Sequence, residues 1–458
     1  MSRLKNHPLV AGTIILTITG FISRIIGFFY RIYLSRLFGE EGMGIYQLLS
    51  PVLALSFSIT AAGIQTSISK FVAGETATGD YRHSLRVLLT GLSLSTLLSF
   101  LCTGFLLECS EWVASAFLLE PRTASMLRVV ALSVPMAAVH SCINGYFYGI
   151  RRTGIPAASQ LVEQIFRVGS VALITLIGTK RGEVPTINVA VLGLVVGEGI
   201  SMLFTICAAY KRFALLSLSK NPGKTSKQAA RSLTTLQPYH RILKDLLTLS
   251  VPLSLNRIVI NFLQSIEAIY IPNRLLAYGY DTKTALSVYG VLTGMAMPLI
   301  MFPNALTNSV SVLLLPVIAE ADATGNQLQI KRAIDRTIRY SSLLGVFCMA
   351  VFLLGGRPVG TLLFHSPLAG HFIVTLSFIC PFMYLSATLS SVINGLGKAG
   401  VVFFANVAAL LLRLAFVFLT VPHAGITGYL WGLLASQFCT AGIYIIYLRC
   451  RKRFKQPS

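Results

Sequence analysis

The sequence predicts an all-α membrane protein with about twelve spanning helices in two six-helix bundles. Three observations lead there. Hydrophobic residues make up 54% of the 458 positions and charged residues only 12%, whereas a soluble chain carries about 25% charged residues. The mean hydropathy is +0.72. Apolar runs long enough to cross a bilayer recur along the chain, continuous rather than alternating, which excludes a membrane β-barrel. Finally, signals in the first half of the chain return in the second.

Taken in order, the apolar runs place spans at about 9–31, 43–69, 84–107, 124–149, 155–178, 187–210, 246–271, 285–316, 338–355, 369–395, 399–421 and 424–448. Arg3 and Lys5 precede the first run, and no small-residue cleavage site follows it, so that run reads as a retained helix. Two weaker pieces, near Trp112–Leu119 and Val359–Phe364, are too short to span and are expected at the membrane surface. Residues 211–244 are polar and basic and contain Asn221-Pro222-Gly223. They form a cytoplasmic linker between an N-terminal lobe, 1–210, and a C-terminal lobe, 245–458, that ends in a basic tail.

The net charge is +22, but the basic residues recur in short clusters between apolar runs. Nucleic acid is thereby excluded as a partner, and the positive-inside rule explains the charge. With the N-terminus inside, cytoplasmic segments hold 25 Lys and Arg against 8 in outer loops. Both ends therefore belong in the cytoplasm of a multi-pass membrane protein. The outer loop with Glu108, Glu111 and Glu120 agrees. Eight scattered cysteines show neither CxxC nor metal-ligand spacing and read as small apolar fillers.

The repeat has a constant offset of 246: Ala77-Thr78-Gly79 returns as Ala323-Thr324-Gly325, Arg86 as Arg332, Pro135 as Pro381, Gly149 as Gly395, Gly154 as Gly400 and Arg167 as Arg413. GxxxG pairs stand near the end of each half, Gly193/Gly197 and Gly428/Gly432, and a shorter offset brings Ser23-Arg24 onto Asn256-Arg257. Six spans per half give both halves one orientation. Such parallel repeats are a transporter architecture with the substrate path between lobes. Prolines 51, 135, 252, 298, 303 and 381 fall within spans, where they are expected to permit bends.

No Walker A sequence, nucleophile elbow or paired histidines occur, so no catalytic residue, cofactor or metal is expected. The ionisable residues within spans carry the chemistry. Arg24 sits mid-span, where insertion costs about 2.5–3.5 kcal/mol. With Arg257 it forms a candidate site for an anionic headgroup such as pyrophosphate, which guanidinium pairs bidentately; Arg31 extends it. The alternative is snorkelling or packing on helix-end carbonyls. Glu163 and Arg167 are four apart and share a helix face, as a structural pair or part of an ion-coupling site. Glu198 and Glu267 are candidate H+ or Na+ sites. Arg413 has Ala409 where Arg167 has its acid, so it needs a partner across helices.

The stretch SRIIGFFYRIYLSRLFGEEGMGIYQLLSP from Ser23, then Ile68-Ser69-Lys70, GYFYG at 145–149 and SQLVEQIFRV at 159–168 resemble the polysaccharide-transporter family of the multidrug/oligosaccharidyl-lipid/polysaccharide exporter superfamily, which includes lipid II flippases. The resemblance implies bundles forming a V around a central cavity. It implies translocation of a lipid-linked oligosaccharide or peptidoglycan precursor of undecaprenyl-pyrophosphate type, in envelope or spore-cortex biogenesis, with a required cavity arginine at Arg24. This chain has Tyr30-Arg31 where those flippases place Arg-Asp, and fewer spans than they have. The expected partners are the lipid-linked saccharide, the bilayer and a coupling H+ or Na+, and the chain is expected to be a monomer. A cation-coupled multidrug exporter of the same superfamily is the first rival, and a non-transporting scaffold for envelope synthesis the second. The orientation has a direct check: fluorescent protein fused after Ser458 should light up, and alkaline phosphatase fused within the 108–120 loop should be active. The reverse pattern would refute both ends being cytoplasmic.

Overall fold

The computed structural model describes residues 8–78, 81–218 and 238–454. The core of the linker, 219–237, lies outside them. All regular elements among the described residues are helical. The first half runs α1 (Pro8–Phe57), α2 (Gly63–Thr78), α3 (Tyr81–Glu108), α4 (Ala124–Ala131), α5 (Ser133–Gly149), α6 (Gly154–Lys180) and α7 (Asn188–Leu218). The second runs α8 (Tyr239–Tyr278), α9 (Thr282–Gly290), α10 (Met297–Met301), α11 (Asn304–Ala323), α12 (Gln327–Phe364), α13 (Pro367–Leu376), α14 (Cys380–Gly395), α15 (Ala399–Leu419) and α16 (Ile426–Phe454). From α3 onward the halves correspond element for element, α3–α7 with α12–α16. A π-helical stretch also interrupts each half early, at Ser58–Ala62 and Val291–Ala296.

Ten helical stretches of the described residues are long and apolar enough to cross a membrane, or eleven if one bent pair crosses as a unit. The first, Ile15–Thr76, is 62 residues long, about 90 Å at 1.5 Å per residue, room for both of the first two expected spans. Side chains such as Leu354, Leu362 and Phe404 are at least 70% exposed. Large exposed aliphatic and aromatic groups of this kind fit a lipid-facing surface. Val359–Phe364, expected as a separate surface piece, is instead the last turns of α12.

Packing divides the chain into two units, Met1–Ile26 with Leu49–Asn261 and Gly27–Leu48 with Phe262–Ser458. A division at 211–244 follows chain order; these units do not. Within the second unit, Arg36 caps α12, its Nε and Nη2 donating to the carbonyls of Leu363 and Leu362 at 2.9 Å each. A cation there meets both unpaired carbonyls and the negative end of the helix dipole. The Ser366 hydroxyl donates to Glu40 Oε1 at 2.5 Å and accepts from the Ala369 amide at 3.1 Å, opening α13. Between Arg36 and Glu40, α1 breaks at Gly39, whose φ of 70° and ψ of −172° suit only glycine. Within the first unit, α8 is bound near its middle by Asn261, which donates to Ser58 Oγ at 2.6 Å and the Ala54 carbonyl at 3.3 Å. Arg257 therefore lies in the first unit, not in the second lobe where chain order put it.

The prolines act mostly at helix starts. Pro135 lies in the first turn of α5, where a missing N–H is harmless. The chain bends there by 43° between Pro121–Ala131 and Ser133–Gly149. The Ala131 carbonyl, displaced by the proline ring, accepts instead from Thr103 Oγ1 at 3.0 Å. Pro381 opens α14 in the same place of the second half.

Both GxxxG pairs form close helix contacts. A methyl group on Gly197 would meet the Glu163 carbonyl oxygen at 2.9 Å and Arg167 Cβ at 3.0 Å, and Gly193 lies against Val171 and the Arg167 carbonyl. Gly428 and Gly432 lie likewise on Thr420, just past the end of α15, and on Phe416 of α15. Small residues at these positions let backbones approach where water cannot drive association. Gly197→Ala should therefore destabilise the first unit by about 1–3 kcal/mol, seen as a lower Tm in detergent. Gly442→Ala, with nothing within 4 Å of the added methyl, should leave Tm unchanged.

Candidate functional site: charged clusters inside the spans

In the first unit, three helices bring four ionisable side chains together. Arg167 of α6 pairs through Nη2 with Glu163, one turn before it, and approaches Glu198 Oε1 of α7 at 3.5 Å. The other Glu198 oxygen meets His140 Nε2 of α5 at 2.7 Å. The close α6–α7 contact at Gly197 puts Glu198 beside the Glu163–Arg167 face. All four side chains are between 13% and 17% exposed. The polar chain continues away from the cluster. Asn144 Nδ2 lies 3.5 Å from His140 Nδ1 and 3.4 Å from Ser159 Oγ, which lies 2.7 Å from Ser201 Oγ. The Asn144 carbonyl oxygen is buried with no hydrogen-bond partner among the described residues.

Ligand atoms of His140, Glu163 and Glu198 all lie within 4.8 Å of one another, a spacing one cation could bridge. Arg167 already holds a fixed positive charge against both carboxylates, so an added metal ion would meet repulsion at short range. Two carboxylates, one arginine and one histidine are neutral with the imidazole protonated and carry one negative charge without it.

The second unit carries a tighter group. Glu267 of α8, 5% exposed, accepts from the Tyr429 hydroxyl at 2.8 Å and pairs with Arg413 Nη2 at 3.0 Å. The cross-helix partner that Arg413 lacked in its own helix is Glu267. Every charge here is matched and no histidine joins it.

Arg24 and Arg257 are exposed and belong to the first unit. Arg31 is partly buried in the second unit and donates to the Thr293 carbonyl at 3.5 Å, inside the π-helical stretch. His140 and Tyr429 escaped the sequence reading. His140 was detectable as an ionisable residue inside the apolar run 124–149, four residues before Asn144. Tyr429 had no such signal.

Duplicated helical units, long apolar spans and buried ionisable clusters define a multi-pass membrane transporter fold. The chain belongs to the polysaccharide biosynthesis protein family, whose model matches residues 9–322. It is 29% identical to "Stage V sporulation protein B" of Bacillus subtilis over 93% of this chain and 80% of that protein. It is 23% identical to "Lipid II flippase MurJ" of the same organism, covering 86% of this chain and 74% of that one. Among solved structures, an inward-facing multidrug resistance MATE family transporter of the MOP superfamily matches with a TM-score of 0.74 over 94% of each chain, at 18% identity. That likeness is one of fold.

Breaking a buried pair by removing one partner costs about 3–5 kcal/mol because the remaining charge stays buried. Arg413→Ala should lower Tm accordingly, and adding Glu267→Gln should restore much of the loss. If the double variant melts no higher than Arg413→Ala alone, Glu267 and Arg413 are not coupled.

Proposed function

We propose that this protein is a flippase that moves a lipid-linked oligosaccharide or peptidoglycan precursor of undecaprenyl-pyrophosphate type across the bacterial cell membrane by alternating access. Membership of the polysaccharide biosynthesis family, and likeness to a sporulation protein and a lipid II flippase, support a membrane exporter of envelope or spore-cortex biogenesis. The chain moves its substrate and does not transform it. It works as a monomer with both ends in the cytoplasm.

The observation that carries the substrate class is Arg24. An exposed guanidinium in the first span suits a pyrophosphate, which it pairs through two parallel hydrogen bonds. Arg257, exposed in the same unit, adds a second cation. Arg31, by contrast, donates to a backbone carbonyl and serves the anion at most through its charge. The Glu163–Arg167–Glu198–His140 group supplies ion coupling, with H+ favoured over Na+ because an imidazole, a proton carrier, sits on Glu198. The Glu267–Arg413 pair holds α8 to α15 and is structural. A cation-coupled multidrug exporter remains the rival, since the fold also serves that use.

Depletion followed by lipid analysis separates the two. The flippase reading expects undecaprenyl-linked precursor to build up on the inner face, and unchanged precursor pools with lost dye efflux would favour the rival. Arg24→Ala should abolish complementation at a normal protein level and Arg24→Lys should restore it only in part. Full complementation by Arg24→Ala would remove the anion site from the reading.

A further inference from the structure

The first unit holds a cavity of about 340 Å³ that none of the charged-cluster residues lines. It lies where the α5–α6 turn meets the C-terminal part of α7. Phe204, Cys207, Ala208, Lys211 and Arg212 of α7 all line it. Their spacing of i, i+3, i+4, i+7 and i+8 defines one helix face. Along about 12 Å of helix that face passes from apolar to basic. Arg152, from the turn after α5, joins the basic end, and Phe147 of α5 the apolar wall. None of the three cations forms an ion pair with a described residue. Arg212 Nε is buried with no hydrogen-bond partner among the described residues.

An amphiphile with a negative end matches this gradient. We propose that the cavity binds an anionic phospholipid of the surrounding bilayer, with its phosphate between Arg152, Lys211 and Arg212 and its first acyl carbons against Phe204 and Phe147. The volume falls within the roughly 300–1,000 Å³ of small-molecule pockets, and basic pockets between membrane helices are suited to such headgroups. The adjacent segment 219–237 is a poor occupant. It carries Lys220, Lys224, Lys227 and Arg231 and no acid, so it would bring positive charge to a positive rim. The lipid is a resident ligand of the first unit, separate from the transported substrate.

Cys207, exposed on the cavity wall, provides the probe. In full-length protein with Cys207 as its only cysteine, maleimide labelling is followed in phosphatidylcholine nanodiscs with and without phosphatidylglycerol. Phosphatidylglycerol should slow labelling. Each charge removed among Arg152→Gln, Lys211→Gln and Arg212→Gln should weaken lipid affinity by roughly fivefold. Ala208→Trp, which fills the cavity and keeps every charge, should abolish the effect. Equal labelling in both lipids would overturn the proposal. So would equal protection by inorganic phosphate in detergent, which means a free anion, or protection in detergent without lipid, which means the chain's own linker. The readout is lipid occupancy and not transport, so its failure leaves the flippase reading standing, and failure of that reading leaves this one standing.

Discussion

Arg167 stands between two carboxylates, and much of the first unit's packing makes that possible. Charges inside apolar helices are tolerated only when paired and hydrogen-bonded. Glu163 reaches Arg167 along its own helix, but Glu198 reaches it only because Gly197 lets α7 lie directly on α6. A side chain at Gly197 would displace the very backbone that carries Glu163 and Arg167. The bend at Pro135 has a related consequence, since it sets the direction of α5, which carries His140 to the far side of Glu198. Helix contact, proline bend and charge pairing are thus one arrangement rather than three.

The second unit keeps the arginine of the repeat and changes its partner. Arg167 has an acid one turn away; Arg413 has Ala409 there and takes Glu267 from α8 instead. Glu267 is further held by Tyr429 of α16. This group balances at one carboxylate and one guanidinium, with a neutral donor. The first unit's group balances only when its histidine is charged. Duplication therefore preserved the position of a buried arginine while giving it one carboxylate in the second unit and two carboxylates with a histidine in the first.

Features set by local periodicity could be read from the sequence. Apolar runs gave the spans, four-residue spacing gave Glu163–Arg167, and the glycine pairs marked the closest helix contacts. Contacts between residues distant in the chain could not be read, because nothing local signals them. Glu267 with Arg413 is such a case, as is Arg36 on the last carbonyls of α12. The exchange of segments between units is another. Hydrophobicity reports that α1 and α8 are long, but not which neighbours each part of them meets. His140 illustrates a different loss: a single histidine in an apolar run is weak until a carboxylate is found beside it.

The fate of the basic residues along α1 narrows the anion site. From sequence, Arg24, Arg31 and Arg36 look alike as cations near one helix. Arg36 serves two carbonyls at a helix end and Arg31 a carbonyl in a π-helical stretch, where the irregular ladder exposes an acceptor. Both sit in the second unit, so their charges answer backbone dipoles. Arg24 lies in the first unit and is exposed. An exposed guanidinium in an apolar span can reach water or an anion only along an aqueous path. The same argument extends to Arg257, exposed in the first unit and without an ion pair among the described residues. The two arginines that the repeat aligned therefore belong to one packing unit rather than to one lobe each.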